Sequence, residues 1–399
     1  MTPAEALHWL YSLQRIGIKL GLENITSLLS VLGAPEKRMR FLHIAGTNGK
    51  GSVCAFLDSI LRIQGYKTGL FTSPHLIEFE ERIRVQGQPI SPEEVAEGIA
   101  LFRALVDQMG TTPTFFEITT ALAIWYFSKK DVDIVVWETG MGGRWDATNV
   151  VTPLVSVMTP VALDHKEWLG DTLTKIASEK AGIFKPGIPA VSAPQPDEVV
   201  EEFRRVARVQ GISLRFIEKP YAISQLGLFG QHQQWNAALA VGAIESSRLS
   251  VTSEAIRRGL AHVQWPGRFQ MLSPRFIVDG AHNPAAAIAL TTTWRETFKN
   301  QKARVLFGSL KDKASEEVLL ILSEIAMEFL FVSLENPRSR PATHYRAPHP
   351  ILARYFENSK TALNAALNSD GLVLATGSLF LVGEILARFK ELTYQRSEQ

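Results

Sequence analysis

Cysteine is almost missing from this 399-residue chain: Cys54 stands alone. That excludes an intrachain disulfide and a zinc site built on several thiolates, and it fits a reducing compartment. Net charge is small too, at +2. A chain so balanced lacks the electrostatic excess of a general nucleic-acid or anionic-membrane binder. No stretch has the length and apolarity of a membrane span. Met1-Thr2-Pro3-Ala4-Glu5 offers no basic region leading into an apolar run, so no signal peptide is expected. Repeats of fixed period and low-complexity segments are also lacking. These absences point to a cytoplasmic protein that binds neither nucleic acid nor membrane, and a monomer is expected. What is present is apolar residue in quantity, 46%. That is enough for a sizeable core, at a length that suits two or three domains.

Thr2-Pro3-Ala4-Glu5 reads as a helix start with a capping box, and Ser91-Pro92-Glu93-Glu94 repeats the device before a long helix ending near Gly110. Apolar runs at 41–45, 67–71, 132–137, 154–158 and 188–191 read as strands. Helical patterns at 53–64, 117–128, 172–181 and 198–210 separate most of them. Such alternation predicts a parallel α/β sheet. A second series follows Trp265-Pro266-Gly267-Arg268, with strands expected at 276–279, 304–308, 329–333 and 372–376. Pro266-Gly267 is a plausible hinge, and a domain boundary is expected near Gln270, giving domains 1–270 and 271–399.

Gly46-Thr47-Asn48-Gly49-Lys50-Gly51-Ser52 follows an apolar strand and opens a helix. Glycines let backbone N–H groups approach phosphates, the helix N-terminus adds unpaired donors, and Lys50 can place a point charge on the transferring phosphate. The strict Walker pattern fails, because Ile occupies position 44 and Gly51 rather than a hydroxyl residue follows Lys50. An ordinary glycine-rich turn is the plain alternative. Asn48-Gly49-Lys50-Gly51-Ser52 at a strand–helix junction favours ATP.

The loop resembles that of Mur-type ATP-dependent ligases. Further segments resemble the folylpolyglutamate synthase/dihydrofolate synthase family, in family order and across nearly the whole chain. They are Thr72-Ser73-Pro74-His75-Leu76, the run from Glu138-Thr139-Gly140-Met141 to Asn149, Leu163-Asp164-His165, the run from Glu179-Lys180-Ala181-Gly182 to Gly187, Pro266-Gly267-Arg268-Phe269, Asp279-Gly280-Ala281-His282-Asn283-Pro284 and Thr376-Gly377-Ser378. The resemblance implies a P-loop-type three-layer nucleotide-binding domain followed by a smaller Rossmann-like α/β domain, with ATP in the cleft between them. It also implies magnesium, two ions in all, with a folate or pteroate substrate and L-glutamate.

Each implied site residue has a plainer alternative. Glu138 ends a strand where α/β proteins bind ligands and is a natural oxygen ligand for magnesium, though it reads equally as a strand-end acid. Ser73 reads as a Ser-Pro turn, and the resemblance puts its hydroxyl on the magnesium that bridges the phosphates. His165 and Lys180 read as a lone histidine and a helix C-terminal charge. The resemblance places His165 on a second magnesium and makes Lys180 a carbamylated lysine, an anionic oxygen ligand. Asn236, otherwise a helix cap, is implied on the adenine. Arg268 is implied on the triphosphate, Asp279 on the ribose hydroxyls and His282 in the same cleft. Thr114, Phe115, Phe116 and Glu117, with Trp145, Asp146 and Ala147, are implied around the pterin-linked substrate. Aromatic rings can stack on a pterin and carboxylates can pair its N–H groups, and core packing competes for Phe115 and Phe116. Two departures stand out: segment 219–230 is short, and Trp145 occupies a place where an aliphatic residue is usual.

The activity expected is amide ligation through an acyl phosphate, adding L-glutamate to tetrahydrofolate, dihydropteroate or both. Lys50, Glu138, His165, Lys180 and Arg268 are the expected catalytic set. A Mur-type cell-wall ligase shares the loop and the reaction type. A non-catalytic nucleotide-binding protein is the third possibility.

Overall fold

A threonine or serine followed three residues later by glutamate opens three helices of the chain. In Pro3–Ser12, Pro92–Val106 and Phe115–Lys129 the capping hydroxyl accepts from the N3 backbone, and the N3 glutamate reaches back to the cap's own N–H. The first two are the boxes expected from sequence. The third, Thr114 with Glu117, has the same spacing. The computed structural model describes every residue except 18, 20, 223, 224 and 396–399, so Ile223 and Ser224 of the short 219–230 segment lie outside the described residues.

The chain divides into two compact units. The first comprises Met1–Ser73, Glu80–Gln225 and Gln234–Val263. Its strands are β1 (Phe41–Ala45), β2 (Thr68–Phe71), β3 (Ile83–Val85), β4 (Gln88–Pro89), β5 (Ile134–Glu138), β6 (Val155–Met158), β7 (Ala190–Ser192) and β8 (Leu214–Phe216). They form one sheet in the order β4-β3-β2-β5-β1-β6-β7-β8, parallel from β2 to β8. Every residue of β1, β5 and β6 is buried. A parallel sheet covered on both faces requires that, and it explains why these strands read as continuous apolar runs. Because β2, β5, β1, β6 and β7 run the same way, the loops after them all leave one edge of the sheet.

The short elements were not evident from sequence. The β3–β4 hairpin turns on Gln86 and Gly87, both at positive φ (52° and 77°), a two-residue turn of the twist-matched kind. Strand β8 has three residues, too few for a periodic signal.

The second unit comprises Pro74–Phe79, Leu226–Gln233 and Gln264–Gln399. Its strands are β9 (Gln270–Ser273), β10 (Phe276–Val278), β11 (Ala303–Phe307), β12 (Ala326–Val332), β13 (Leu352–Phe356) and β14 (Leu372–Thr376), ordered β13-β12-β11-β14-β10-β9. Only β9 is antiparallel to its neighbour. One apolar cluster packs Phe269, Trp294, Phe307 and Phe331 on one side, and another packs Leu330, Leu374's neighbours Val373 and Ala375, and Ile385 on the other. Edge strand β13 carries no buried residue, which hides it from an apolar pattern.

Candidate active site

Strand β1 ends at Ala45, and the chain turns sharply into helix Lys50–Gln64. Two glycines make the turn possible. Gly46 has φ 144°, and a Cβ there would collide with the Thr159 hydroxyl; Gly49 has φ 92°, and a Cβ there would lie 2.7 Å from Asn236 Oδ1. The helix opens at Gly49 with no side-chain cap, and its first intrahelical bond runs from Val53 N to Gly49 O. The N–H groups of Lys50 and Gly51 therefore have no partner within the helix, at the positive end of its dipole. Thr47 and Asn48 are used differently. Both backbone N–H groups donate to Pro160 O, at 2.9 and 3.2 Å, and the Thr47 hydroxyl exchanges 3.1 Å bonds with Ala162 O and N. These two residues tie the loop to the segment that follows β6.

Two lysines converge on it. Lys50 Nζ donates to Gly46 O at 3.2 Å and Thr47 O at 3.4 Å, while Lys180 Nζ donates to the same Gly46 O at 2.8 Å. Lys180 is the last residue of helix Leu173–Lys180, yet it is buried and points into the sheet edge instead of serving as a surface charge at a helix terminus. Burial, and then the charge of Lys50, push its pKa down to about 7, against the opposing carboxylates of Asp164 and Asp146. Asp164 thus lies within electrostatic reach of Lys180. His165 beside it is exposed, with φ 51°, at the start of the short helix Lys166–Leu169.

Glu138 closes β5 opposite Ile44 of β1 and is buried. Its Oε2 accepts from Ser73 N at 3.1 Å, which draws the loop after β2 to the same edge. The buried hydroxyls of Thr139 and Thr159, each directly after a strand of that edge, have no hydrogen-bond partner. Among the described residues no three His, Cys, Asp or Glu side chains form a ready cage for a metal. One carboxylate with spare hydroxyl oxygens nevertheless suits magnesium, which takes one or two carboxylates and completes its shell with phosphate oxygens and water. Arg82 is a further residue missed in the sequence. Its guanidinium is fully buried, 5.4 Å over the Phe115 ring, and burial lowers its pKa to about 10, opposed by Tyr11, Glu81 and Glu138.

The run 114–117 divides sharply. Thr114 and Glu117 cap their own helix, and Glu117 Oε2 also accepts from Asn24 Nδ2 at 3.3 Å. Phe115 is core, stacked on Tyr11 at 5.6 Å. Phe116 alone keeps an open edge: its ring covers Gly140, where a Cβ would lie 2.5 Å from Phe116 Cζ. The capping box is the physical reason, because it turns Thr114 and Glu117 back onto the helix.

The loop after β5 is held by a buried relay. Asp146 accepts from Met141 N at 2.8 Å, Thr148 N at 3.0 Å and the Thr148 hydroxyl. That hydroxyl has given its one proton to Asp146, so the 2.9 Å contact with His43 must use a proton on His43 Nε2. Burial, with Lys185 adding to it, lowers the His43 pKa to about 3 and keeps the ring neutral. Burial raises Asp146 in turn, against those hydrogen bonds. Ala147 is buried beside it, and Trp145 stands out at 46% exposed. The loop is also fixed to the segment that carries Lys180: Arg144 N donates to Glu179 O at 2.8 Å, and Asn149 Nδ2 bridges Arg144 O and Gly182 O at 2.9 and 3.0 Å. Two separate sequence motifs are therefore one structural piece.

Asn236 is not a helix cap. Helix Gln231–Ser247 begins five residues earlier, and Asn236 is buried with its carboxamide against Gly49 of the loop.

In the second unit, Asp279 follows β10 and both its oxygens accept from backbone, Oδ2 from Phe269 N and Oδ1 from Ala281 N, each at 2.8 Å. Burial raises its pKa despite Arg268. Arg268 lies over Gly280, where a Cβ would be 2.7 Å from Nη1. Neighbouring His232 is held neutral, its pKa near 4 through burial and the Arg268 charge. His282 Nδ1 donates to Gly280 O at 2.9 Å, which fixes its tautomer.

Comparisons with known proteins point to one family. The chain matches the Mur ligase middle domain over residues 44–219 and the Mur ligase glutamate ligase domain over residues 267–379. It is 38% identical to the dihydrofolate synthase/folylpolyglutamate synthase of Bacillus subtilis, covering 97% of this chain and 99% of that one. The bifunctional folylpolyglutamate synthase/dihydrofolate synthase of Yersinia pestis, solved with AMPPNP and a manganese ion, superposes with a TM-score of 0.88 at 34% identity, covering 98% of each chain. The Escherichia coli FolC structure with DHPP and ADP superposes with a TM-score of 0.85 at 33% identity, covering 98% of this chain and 99% of that one.

Proposed function

Since the chain belongs to the folylpolyglutamate synthase/dihydrofolate synthase family, we propose that it uses ATP to join L-glutamate to the carboxylate of a folate-type substrate. One observation carries the chemistry. The Lys50 side chain folds back over the loop carbonyls of Gly46 and Thr47 at a helix N-terminus that no side chain caps. A lysine ammonium beside unpaired backbone N–H groups suits a triphosphate.

A carboxylate has no good leaving group. We assign the Lys50 and Gly51 N–H groups and the Lys50 ammonium to the phosphates, with Ser52 beside them and Asn236 and Arg268 as further nucleotide contacts. Asp279 and His282 belong to the ribose side. A carboxylate oxygen of the folate attacks the γ-phosphorus, the bond to the bridging oxygen breaks, and ADP leaves. Lys50 and Arg268 stabilise the charge that spreads over the transferring phosphoryl group. The glutamate amine then attacks the acyl carbon, the C–O bond to phosphate breaks, and inorganic phosphate and a proton leave. Magnesium, when bound, neutralises phosphate charge; Glu138 and Ser73 would hold one ion, and His165 with a carbamylated Lys180 the other. Carbamylation joins the Lys180 amine to carbon dioxide with loss of a proton, and an anion facing Lys50 replaces repulsion with attraction.

On the pterin side we favour Phe116, Trp145 and Asp146, with Thr114, Phe115, Glu117 and Ala147 supporting them from behind. Residues 1–270 are assigned to ATP and folate, and 271–399, which also carry the ribose-side Asp279 and His282, to glutamate ligation. We infer a cytoplasmic monomer; among the described residues no helix is long and apolar enough to cross a membrane. The test is ADP release with glutamate and dihydropteroate, tetrahydrofolate or a UDP-muramyl precursor. Release is expected with a folate-type substrate and not with the muramyl compound. Turnover of the muramyl compound alone would overturn the assignment to folates.

A further inference from the structure

The ATP loop is not held in shape by its own residues. Thr47 N and Asn48 N both depend on Pro160 O. Pro160 is a weak point in the sheet edge, because proline offers no N–H with which to continue the ladder between β6 and β7. That ladder pairs Met158 with Ser192, and its last backbone bond runs from Ala193 N to Met158 O at 2.8 Å. Beyond it a side chain takes over. Gln195 Nε2 donates to Thr159 O at 3.0 Å, and Gln195 Oε1 accepts from Val161 N at 2.9 Å. The carboxamide thus grips the residues on both sides of Pro160 as a neighbouring strand would. Its orientation is not arbitrary: one partner only accepts and the other only donates. Ser192 Oγ gives its proton to Ala193 O and accepts a further 3.2 Å bond from Nε2. Gln195 is itself set between Pro194 and Pro196, which restrict the backbone on either side.

We infer that Gln195 is a positioning residue for nucleotide binding: by bridging Thr159 and Val161 it aims Pro160 O at the loop and so holds Thr47 and Asn48 where Lys50 and Gly51 can face the phosphates. It touches no substrate. The inference rests on the assignment of loop 46–52 to ATP.

The test compares wild type with Gln195→Met, which keeps the volume and loses both bonds, and Gln195→Glu, which keeps the acceptor for Val161 N and loses the donor. ATP affinity, steady-state kinetics and amide hydrogen exchange are measured on the full chain. Both variants should raise the ATP dissociation constant about tenfold or more, leave the KM for the folate substrate within about twofold, and speed exchange at Thr47 and Asn48 but not in β1 or β5. A merely structural role would instead move all KM values together and loosen the strands. Lys50→Ala serves as the reference. If it loses activity while both Gln195 variants bind ATP like wild type, the inference fails and the loop assignment stands. If Lys50→Ala itself binds ATP and turns over like wild type, the loop assignment fails.

Discussion

Lys50→Ala should lower kcat/KM by about a thousandfold while leaving the protein folded. In the resting structure Lys50 holds only two long bonds, to carbonyls of its own loop. Removing them costs the fold little. In the proposed reaction the ammonium acts when a phosphoryl group carries its greatest spread of charge, at the transition state. Its loss should therefore reduce kcat together with kcat/KM, more than it weakens ATP binding. Lys50→Arg should not restore activity. A planar guanidinium needs more room than a point charge, and the carbonyl Lys50 occupies is already shared with buried Lys180. Steady-state kinetics beside a thermal unfolding curve checks both halves. A folded Lys50→Ala protein of wild-type kcat/KM would contradict the assignment.

The second large effect belongs to Lys180. Lys180→Met keeps the buried stem and deletes the amine, and activity should fall about a hundredfold or more, as expected when a metal-site group is removed. Stability should hold or rise, since a buried amine with one carbonyl partner and a second lysine nearby is a poor contributor to the fold. Carbon-13 bicarbonate should give the wild-type protein a carbamate resonance that Lys180→Met lacks. Wild-type activity should drop when carbon dioxide is stripped from the buffer. A protein that shows no carbamate at bicarbonate saturation, with activity indifferent to carbon dioxide, would rule out the modification.

The legible parts of this chain share one property: their physics is local. The β1 strand was readable to the residue because a strand covered on both faces must be apolar throughout. Thr2 and Ser91 announced their helices through spacing alone. Thr114 and Glu117 carry the same spacing, and read as substrate contacts they conceal a third capping box. The glycines marked the sharp turn into helix Lys50–Gln64 because freedom at positive φ is written in residue type. What stayed hidden depends on partners far apart in sequence. Gln195 matters because Pro160 lacks an N–H, His43 because Thr148 has already given its proton away, and Arg82 because Phe115 and Tyr11 close over it. Asn236 looked like a cap because nothing local shows that its helix starts at Gln231. Ser73 and Glu138 meet at this edge from the ends of two other strands, through the Ser73 backbone N–H, a pairing that no local pattern shows.

The central claim is that the folate carboxylate is activated by direct phosphorylation. Substrate labelled with oxygen-18 in that carboxylate, turned over with ATP and glutamate, tests it most directly. The label should appear in the released inorganic phosphate, one atom per turnover. Phosphate free of label, with both atoms accounted for elsewhere, would contradict it.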